Sequence, residues 1–89
     1  MIDFDGFDWD DGNWPKCSKH GISQDEIEGA FGAPSLRIMP MRHAEERFAA
    51  FAMVSSGRWA TIIFTWRGRM IRPISARYMH SKDVLRNVT

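Results

Sequence analysis

The chain has 89 residues, of which 44% are hydrophobic and 26% are charged, and its formal net charge is +1. This length and composition predict one small globular domain, residues 1–89, and exclude an intrinsically disordered chain. Its apolar runs are too short to span a membrane, no signal segment opens the chain, and Cys17 alone cannot form an internal disulfide, so we expect a cytoplasmic protein.

The first third of the chain predicts a short strand and two helices. Aromatic and acidic residues alternate around Phe7, a pattern typical of a strand. Pro15 fits the first turn of a short helix, and Gly21 is suited to end that helix in a left-handed conformation. The second helix is indicated by a capping box, with Ser23 at the N-cap and Glu26 three residues later.

The rest of the chain predicts a mostly antiparallel sheet and a final helix in residues 80–88, which makes the fold class α+β. Pro73 cannot donate to a sheet ladder, so the last strand should be an edge or carry a bulge there. A bulge would bring Arg72 and Arg77, five residues apart, to one surface beside a cleft. The four predicted sheet strands are joined by short turns that require antiparallel pairing: 36–39, 47–54, 58–66 and 70–75.

The charges are distributed unevenly. Residues 1–28 hold eight acids and two bases, a net charge of −6, whereas residues 29–89 hold three acids and ten bases, a net charge of +7. Nine of these ten bases are arginine, whose planar guanidinium group suits phosphate. The asymmetry fits either a surface for nucleic acid or two halves of one fold that neutralise each other.

Two short motifs carry candidate acid–base chemistry. Lys19 and His20 precede a glycine, where they are suited to contact phosphate and transfer a proton. The alternative for this pair is a pair of cations that stabilise a helix C-terminus. His43, Glu46 and Arg47 lead into a strand and supply an imidazole, a carboxylate and a guanidinium group. The alternative for this second motif is an ordinary solvated loop.

The last strand carries the third candidate motif. Arg72 and Arg77 could clamp phosphates, Tyr78 could stack on a base, and His80 follows them. In the alternative interpretation, the tyrosine packs in the core and the arginines are ordinary surface residues without a binding role. Cys17 lies three residues before a histidine, but this is only half of a zinc knuckle, so the sequence predicts no metal site.

The stretches FDWDDGNWPKCSKHGIS, HAEERF and IRPISAR, in this order, resemble the BrnT family of bacterial type II toxins. The resemblance spans Phe7 to about Lys82, and Pro73 departs from the family pattern, as expected for a divergent branch. It implies a RelE-like ribonuclease fold, an activity that needs neither metal nor cofactor, and a BrnA-like antitoxin as partner. It allows either a homodimer or a toxin–antitoxin hetero-oligomer.

The expected reaction is RNA cleavage through attack of a 2′-hydroxyl group, with mRNA, free or on the ribosome, as substrate. Glu46 or a histidine is the expected base, and His20 or His43 is the expected acid. The expected phosphate-stabilising residues are three arginines: Arg47, Arg72 and Arg77. The expected RNA-binding residues are Lys19, Tyr78 and His80.

Two alternatives to a nuclease remain open from the sequence. The chain could be a catalytically inactive module that binds a partner protein, with its acidic first segment as the partner surface or as a mask over the basic cleft. It could also bind nucleic acid for repression without cleaving it, which predicts a steep salt dependence and no products.

Overall fold

A computed structural model describes residues 3–42 and 46–80 of the protein. It confirms the α+β fold class, whereas the helix predicted for residues 80–88 lies, apart from His80, outside the described residues. In the part of the chain that is described, no helix is long and apolar enough to cross a membrane. The elements, in chain order, are β1 (Gly6–Phe7), α1 (Trp14–Cys17), a 3₁₀ turn (Ser18–His20), α2 (Gln24–Ala30), β2 (Arg37–Pro40), β3 (Phe48–Met53), β4 (Trp59–Arg67) and β5 (Met70–Tyr78).

The strands form one five-stranded sheet in the order β1-β5-β4-β3-β2. The four long strands pair antiparallel, as the short connections predict, whereas the two-residue β1 pairs parallel to the start of β5. The sequence prediction ended the last strand at Ser75, which is too early. The ladder with β4 continues to Tyr78, so Arg77 belongs to the sheet and not to a loop.

A bulge interrupts this ladder beside Pro73, as the proline predicts. Pro73 lies opposite Phe64, and Ser75 lies opposite Ile63, so Ile74 is the extra residue of β5. Proline is tolerated here because β1 pairs with β5 only as far as Ile71, which leaves this part of the strand at an edge.

The bulge places the two arginines of β5 on the same face of the sheet. Arg72 lies opposite Thr65 and Arg77 lies opposite Thr61. These threonines are four residues apart on β4, an even spacing, so they point to the same face. Without the extra residue, the odd spacing of the arginines would turn one of them into the core.

The opposite face of the sheet forms the core with α2. The ring of Phe31, at the end of α2, packs edge-on against Phe64 with 5.1 Å between ring centroids. The capping box at the start of α2 is present: Ser23 Oγ accepts from the Glu26 amide at 3.1 Å, and Glu26 Oε1 accepts from the Ser23 amide at 3.5 Å. The core therefore fixes one face of the sheet and leaves the other for polar chemistry.

The segment before α1 is fastened to β5 through one buried side chain. Asn13 is 2% exposed, and its side-chain amide donates to the carbonyl oxygens of Asp8 at 2.9 Å and Pro73 at 2.8 Å. Its Oδ1 accepts from the Asp10 amide at 2.8 Å. One of these hydrogen bonds thus holds the acidic segment against the bulged strand, and the other two fix the shape of the segment itself.

We expect Asn13→Ala to lower the free energy of unfolding by about 2–3 kcal/mol, because it removes three hydrogen bonds and leaves buried backbone groups without partners. Denaturant-induced unfolding monitored by circular dichroism measures this change. Asp11→Ala, at an exposed position in the same segment, is the control and should change stability by less than about 0.5 kcal/mol. Equal stabilities of the two variants would contradict the role of Asn13.

Candidate active site

Three pockets follow β5, and each is lined by one of the two arginines of this strand. The middle pocket, called here the His20 pocket, has a volume of about 160 Å³. The 3₁₀ turn supplies His20, and the facing strands supply Arg77, Ser75 and Thr61. Gly21, in the left-handed conformation at φ 83°, ends the turn and sets the position of the histidine. An imidazole and a guanidinium group from distant parts of the chain therefore border one small cavity.

The second pocket, called here the Tyr78 pocket, shares His20 and Arg77 with the first and is wider, at about 630 Å³. The guanidinium carbon of Arg58 lies 3.7 Å from the centre of the Tyr78 ring, a cation–π contact that covers one face of the ring. The Tyr78 hydroxyl donates to Glu26 Oε1 at 2.6 Å. This hydrogen bond is the main reason why the pKa of Tyr78 is raised and the pKa of Glu26 is lowered.

The third pocket, called here the Arg72 pocket, has a volume of about 210 Å³. Cations dominate its lining, since α1 supplies a lysine, the segment before β3 supplies an arginine, and β4 and β5 supply one arginine each. The lining residues are Gly12, Asn13, Lys16, Arg47, Thr65, Arg67, Arg72 and Ile74.

Carboxylates already hold the guanidinium group of Arg72. It donates to both carboxylate oxygens of Asp10, at 2.9 and 3.0 Å, and to Asp8 Oδ2 at 3.3 Å. Its side chain is 14% exposed, whereas that of Arg67, which contacts Asp8 at 3.4 Å, is 64% exposed. The hydrogen bonds that Arg72 donates to Asp10 raise the pKa of Arg72, so this arginine is a fixed cation that anchors the acidic segment.

Acid should weaken this anchor. The hydrogen bonds from Arg72 hold the pKa of Asp10 below its usual 3.8. A lowered pKa in the folded state means that the carboxylate contributes stability above pH 3.8, and that this contribution disappears as the pH falls through the lowered value. We therefore expect wild type to melt at a higher temperature than Asp10→Asn at neutral pH, with a difference that shrinks below pH 3.8.

Thermal melting of both proteins across this pH range measures the effect. The matched control is Asp11→Asn, an exposed carboxylate in the same segment, whose difference from wild type should be small at every pH. If the difference in melting temperature between wild type and Asp10→Asn stayed constant on acidification, this result would contradict the stabilising contribution assigned to the Asp10–Arg72 pair.

The residues predicted from the sequence fall into two groups. His20 and Arg77 meet in the His20 pocket, which opens toward Tyr78 and His80. Arg47 and Arg72 meet in the Arg72 pocket, on the same side of the sheet. The single cluster of arginines expected from the sequence is therefore divided between two adjoining cavities.

The other predicted residues lie around these pockets. Lys19 is exposed on the 3₁₀ turn and lines none of the three pockets along β5. Glu46 has a left-handed backbone, with φ 62°, and its carbonyl oxygen accepts from Thr65 Oγ1 at 2.6 Å. Its side chain is exposed, and its backbone ties the segment before β3 to the wall of the Arg72 pocket. His43 lies outside the described residues.

Sequence reasoning did not single out Lys16 and Arg67, which line the Arg72 pocket. Both could have been found from spacing. Lys16 precedes His20 by four residues in a helical segment, so the two share a side of it. Arg67 follows Thr65 by two residues on β4, so both face the same way.

Cys17 has no place in this chemistry. It is fully buried in the core, and burial raises the pKa of its thiol to about 11, so the reactive thiolate is scarce at neutral pH. Within residues 3–42 and 46–80, no three histidine, cysteine or acidic side chains lie close enough to hold a metal ion together.

Comparison with known proteins adds one finding. A family model described as the ribonuclease toxin BrnT of type II toxin–antitoxin systems matches residues 9–83 of this chain. The matched range includes the three pockets and the acidic segment from Trp9 onward. No curated protein matches the chain.

Proposed function

Because this chain belongs to the BrnT family of ribonuclease toxins of type II toxin–antitoxin systems, we propose that it cleaves RNA in the His20 pocket without a metal ion. The observation that carries this proposal is the meeting of His20 and Arg77 around one cavity beside β5. An imidazole that transfers protons and a guanidinium group that stabilises negative charge are the groups needed to cleave a phosphodiester.

The reaction proposed is an internal transfer at phosphorus. A base takes the proton of the 2′-hydroxyl group, and the 2′-oxygen attacks the adjacent phosphorus atom. The bond from phosphorus to the 5′-oxygen breaks, and an acid gives that oxygen a proton. The products are a 2′,3′-cyclic phosphate, which water can open to a 3′-phosphate, and a 5′-hydroxyl end.

In this reaction His20 transfers one of the two protons and Arg77 neutralises the charge that builds on the phosphate oxygens. His43 and Glu46 remain candidates for the second proton transfer. Thr61 and Ser75, on the facing strands, add hydroxyl groups that suit hydrogen bonds to the same phosphate. The wider Tyr78 pocket beside it has room for a nucleoside.

RNA cleavage in the presence of a chelator tests the proposal. Purified protein is incubated with single-stranded RNA at low salt, with and without EDTA, and the product ends are identified. The proposal predicts cleavage that EDTA does not suppress, and products with cyclic or 3′-phosphates. The absence of cleavage, with RNA or a partner protein still bound, would instead support the inactive binding module.

Membership of a type II toxin family implies a protein antitoxin as partner. We propose an antitoxin of the BrnA type that neutralises the toxin, and a RelE-like fold for the toxin itself, supported by its antiparallel β2–β5 sheet and by α2, whose buried residues join those of the sheet in one core. Expression of the toxin alone should arrest growth, and co-expression of the protein encoded beside it should restore growth. Continued arrest would contradict the proposed partner.

A further inference from the structure

We infer that the Arg72 pocket binds a second phosphate of the RNA substrate, further along the strand than the phosphate adjacent to the scissile one, through Lys16 and Arg67. This inference rests on the proposed function, because it assigns the scissile phosphate to the His20 pocket. It also assigns a binding role to two side chains that line neither of the other pockets along β5.

The charge of the Arg72 pocket fits an anion. Four cations line it, namely Lys16, Arg47, Arg67 and Arg72, and the two nearby carboxylates only partly balance them. Both carboxylates contact Arg72, and only Asp8 reaches Arg67, at 3.4 Å. In the described part of the chain, no acidic side chain pairs with Lys16 or Arg47. The cations that no carboxylate of the described residues pairs with are therefore available to an anion in this pocket.

The shape of the pocket also suits a phosphate. A Cβ atom at Gly12 would lie 3.1 Å from Arg72 Nη2 and 3.0 Å from Asp10 Oδ1, so the glycine lets the backbone approach the anchored arginine closely. Thr65 contributes a hydroxyl group to the wall, which is held in place because it donates to the Glu46 carbonyl oxygen. The pocket is thus preformed around fixed groups, with the exposed side chains of Lys16 and Arg67 at its mouth.

The distance between the pockets suits one RNA strand. Arg72 and Arg77 are opposite Thr65 and Thr61, four residues apart on β4. This spacing corresponds to about 13 Å along the strand. Both pockets open on the same side of β5, so a single-stranded substrate laid along the strand would contact both. A dinucleoside monophosphate, whose only phosphate is the scissile one, would reach only the His20 pocket.

The kinetic test compares wild type with the double variant Lys16→Ala/Arg67→Ala on two substrates. For an oligoribonucleotide we expect KM to rise about tenfold or more with kcat unchanged, because a contact made equally in the ground and transition states is lost. For a dinucleoside monophosphate we expect no change. An equal loss on both substrates would place these cations at the reacting phosphate and overturn the inference, as would no change on either.

The control variant is Arg69→Ala. Arg69 lies two residues after Arg67 and has a similar exposure, 58% against 64%, but it pairs with Asp3 and Asp5 and is not part of the pocket. Its removal should leave KM for the oligoribonucleotide unchanged. A rise equal to that of the double variant would mean that general positive charge, and not the pocket, binds the substrate.

A binding measurement decides the inference even if no cleavage is observed. A 2′-deoxy oligonucleotide serves as a probe that this chemistry cannot cleave. The slope of log K against log salt should fall by about 0.7 in the double variant, the value for one lost phosphate contact on a single strand. An unchanged slope would overturn the inference. Binding of free AMP is measured as well. If AMP bound wild type as tightly as the oligonucleotide does, and did not bind the double variant, the pocket would be a mononucleotide site and the inference would be wrong.

Discussion

Arg77→Ala should lower the rate of RNA cleavage by about 10²- to 10³-fold, the loss typical when one group that stabilises transition-state charge is removed. Growth arrest on expression should disappear with it. The fold should survive, because Arg77 is exposed and its neighbours in β5 keep their pairing with β4. Single-turnover cleavage measures the rate, and thermal melting shows that the variant is folded.

The matched control for this change is Arg37→Ala, an exposed arginine on the far edge of the sheet, in β2. It removes the same charge at a distance from the three pockets and should leave cleavage close to that of wild type. Full toxicity in a folded Arg77→Ala variant would refute the role of this arginine. Equal losses in both variants would reduce its role to general attraction between the protein and RNA.

His20→Ala should lower the rate of cleavage by about 10²- to 10⁴-fold, because a positioned proton donor or acceptor contributes a factor of this size. Added imidazole should restore part of the lost activity by occupying the space that the side chain leaves. Such rescue separates proton transfer from a structural role, which free imidazole could not replace. The measurement is the initial rate of cleavage with increasing imidazole.

Ser18→Ala is the control for this second variant. Ser18 lies in the same 3₁₀ turn, and its hydroxyl group donates to the Pro15 carbonyl oxygen at 3.0 Å. Its loss perturbs the turn without removing an acid or a base. If Ser18→Ala lost as much activity as His20→Ala, or if imidazole gave no rescue, the histidine would only shape the turn.

Local rules were sufficient to predict much of the fold. The capping box at Ser23 and the left-handed glycine at position 21 involve only a few neighbouring residues, so short-range spacing reveals them. The bulge beside Pro73 was predictable for the same reason, since proline is excluded from a regular ladder at its own position. These features placed His20 correctly at the end of its turn and brought Arg72 and Arg77 to one face, although the strand was predicted to end before Arg77.

The division of the arginines between two pockets could not be predicted, because it depends on contacts between distant parts of the chain. The sequence shows that the first third is acidic, but not that Asp8 and Asp10 hold Arg72 in particular. Nor does it show that α1 lies beside β5 and brings Lys16 to the pocket that Arg67 borders. The end of β5 was missed because its pairing with β4 outlasts the apolar pattern that predicted the strand.

The sheet topology also changes the interpretation of the acidic segment. The sequence suggested that this segment masks the basic cleft or provides a partner surface. Its carboxylates contact Arg72, Arg67 and Arg69, whereas the ion pairs among the described residues do not include Arg77. The segment thus partly balances the cations at one end of β5 and, among the ion pairs of the described residues, does not engage the arginine of the His20 pocket.

Replacing the attacking hydroxyl group of the RNA tests the central claim most directly. A single-stranded RNA is compared, in EDTA, with the same sequence carrying 2′-deoxyribose at the cleaved position. The proposed mechanism predicts a 2′,3′-cyclic phosphate product from the RNA and no cleavage at the substituted position, although the oligonucleotide still binds. Cleavage of the substituted strand at that position, or a 5′-phosphate on the product, would contradict the mechanism.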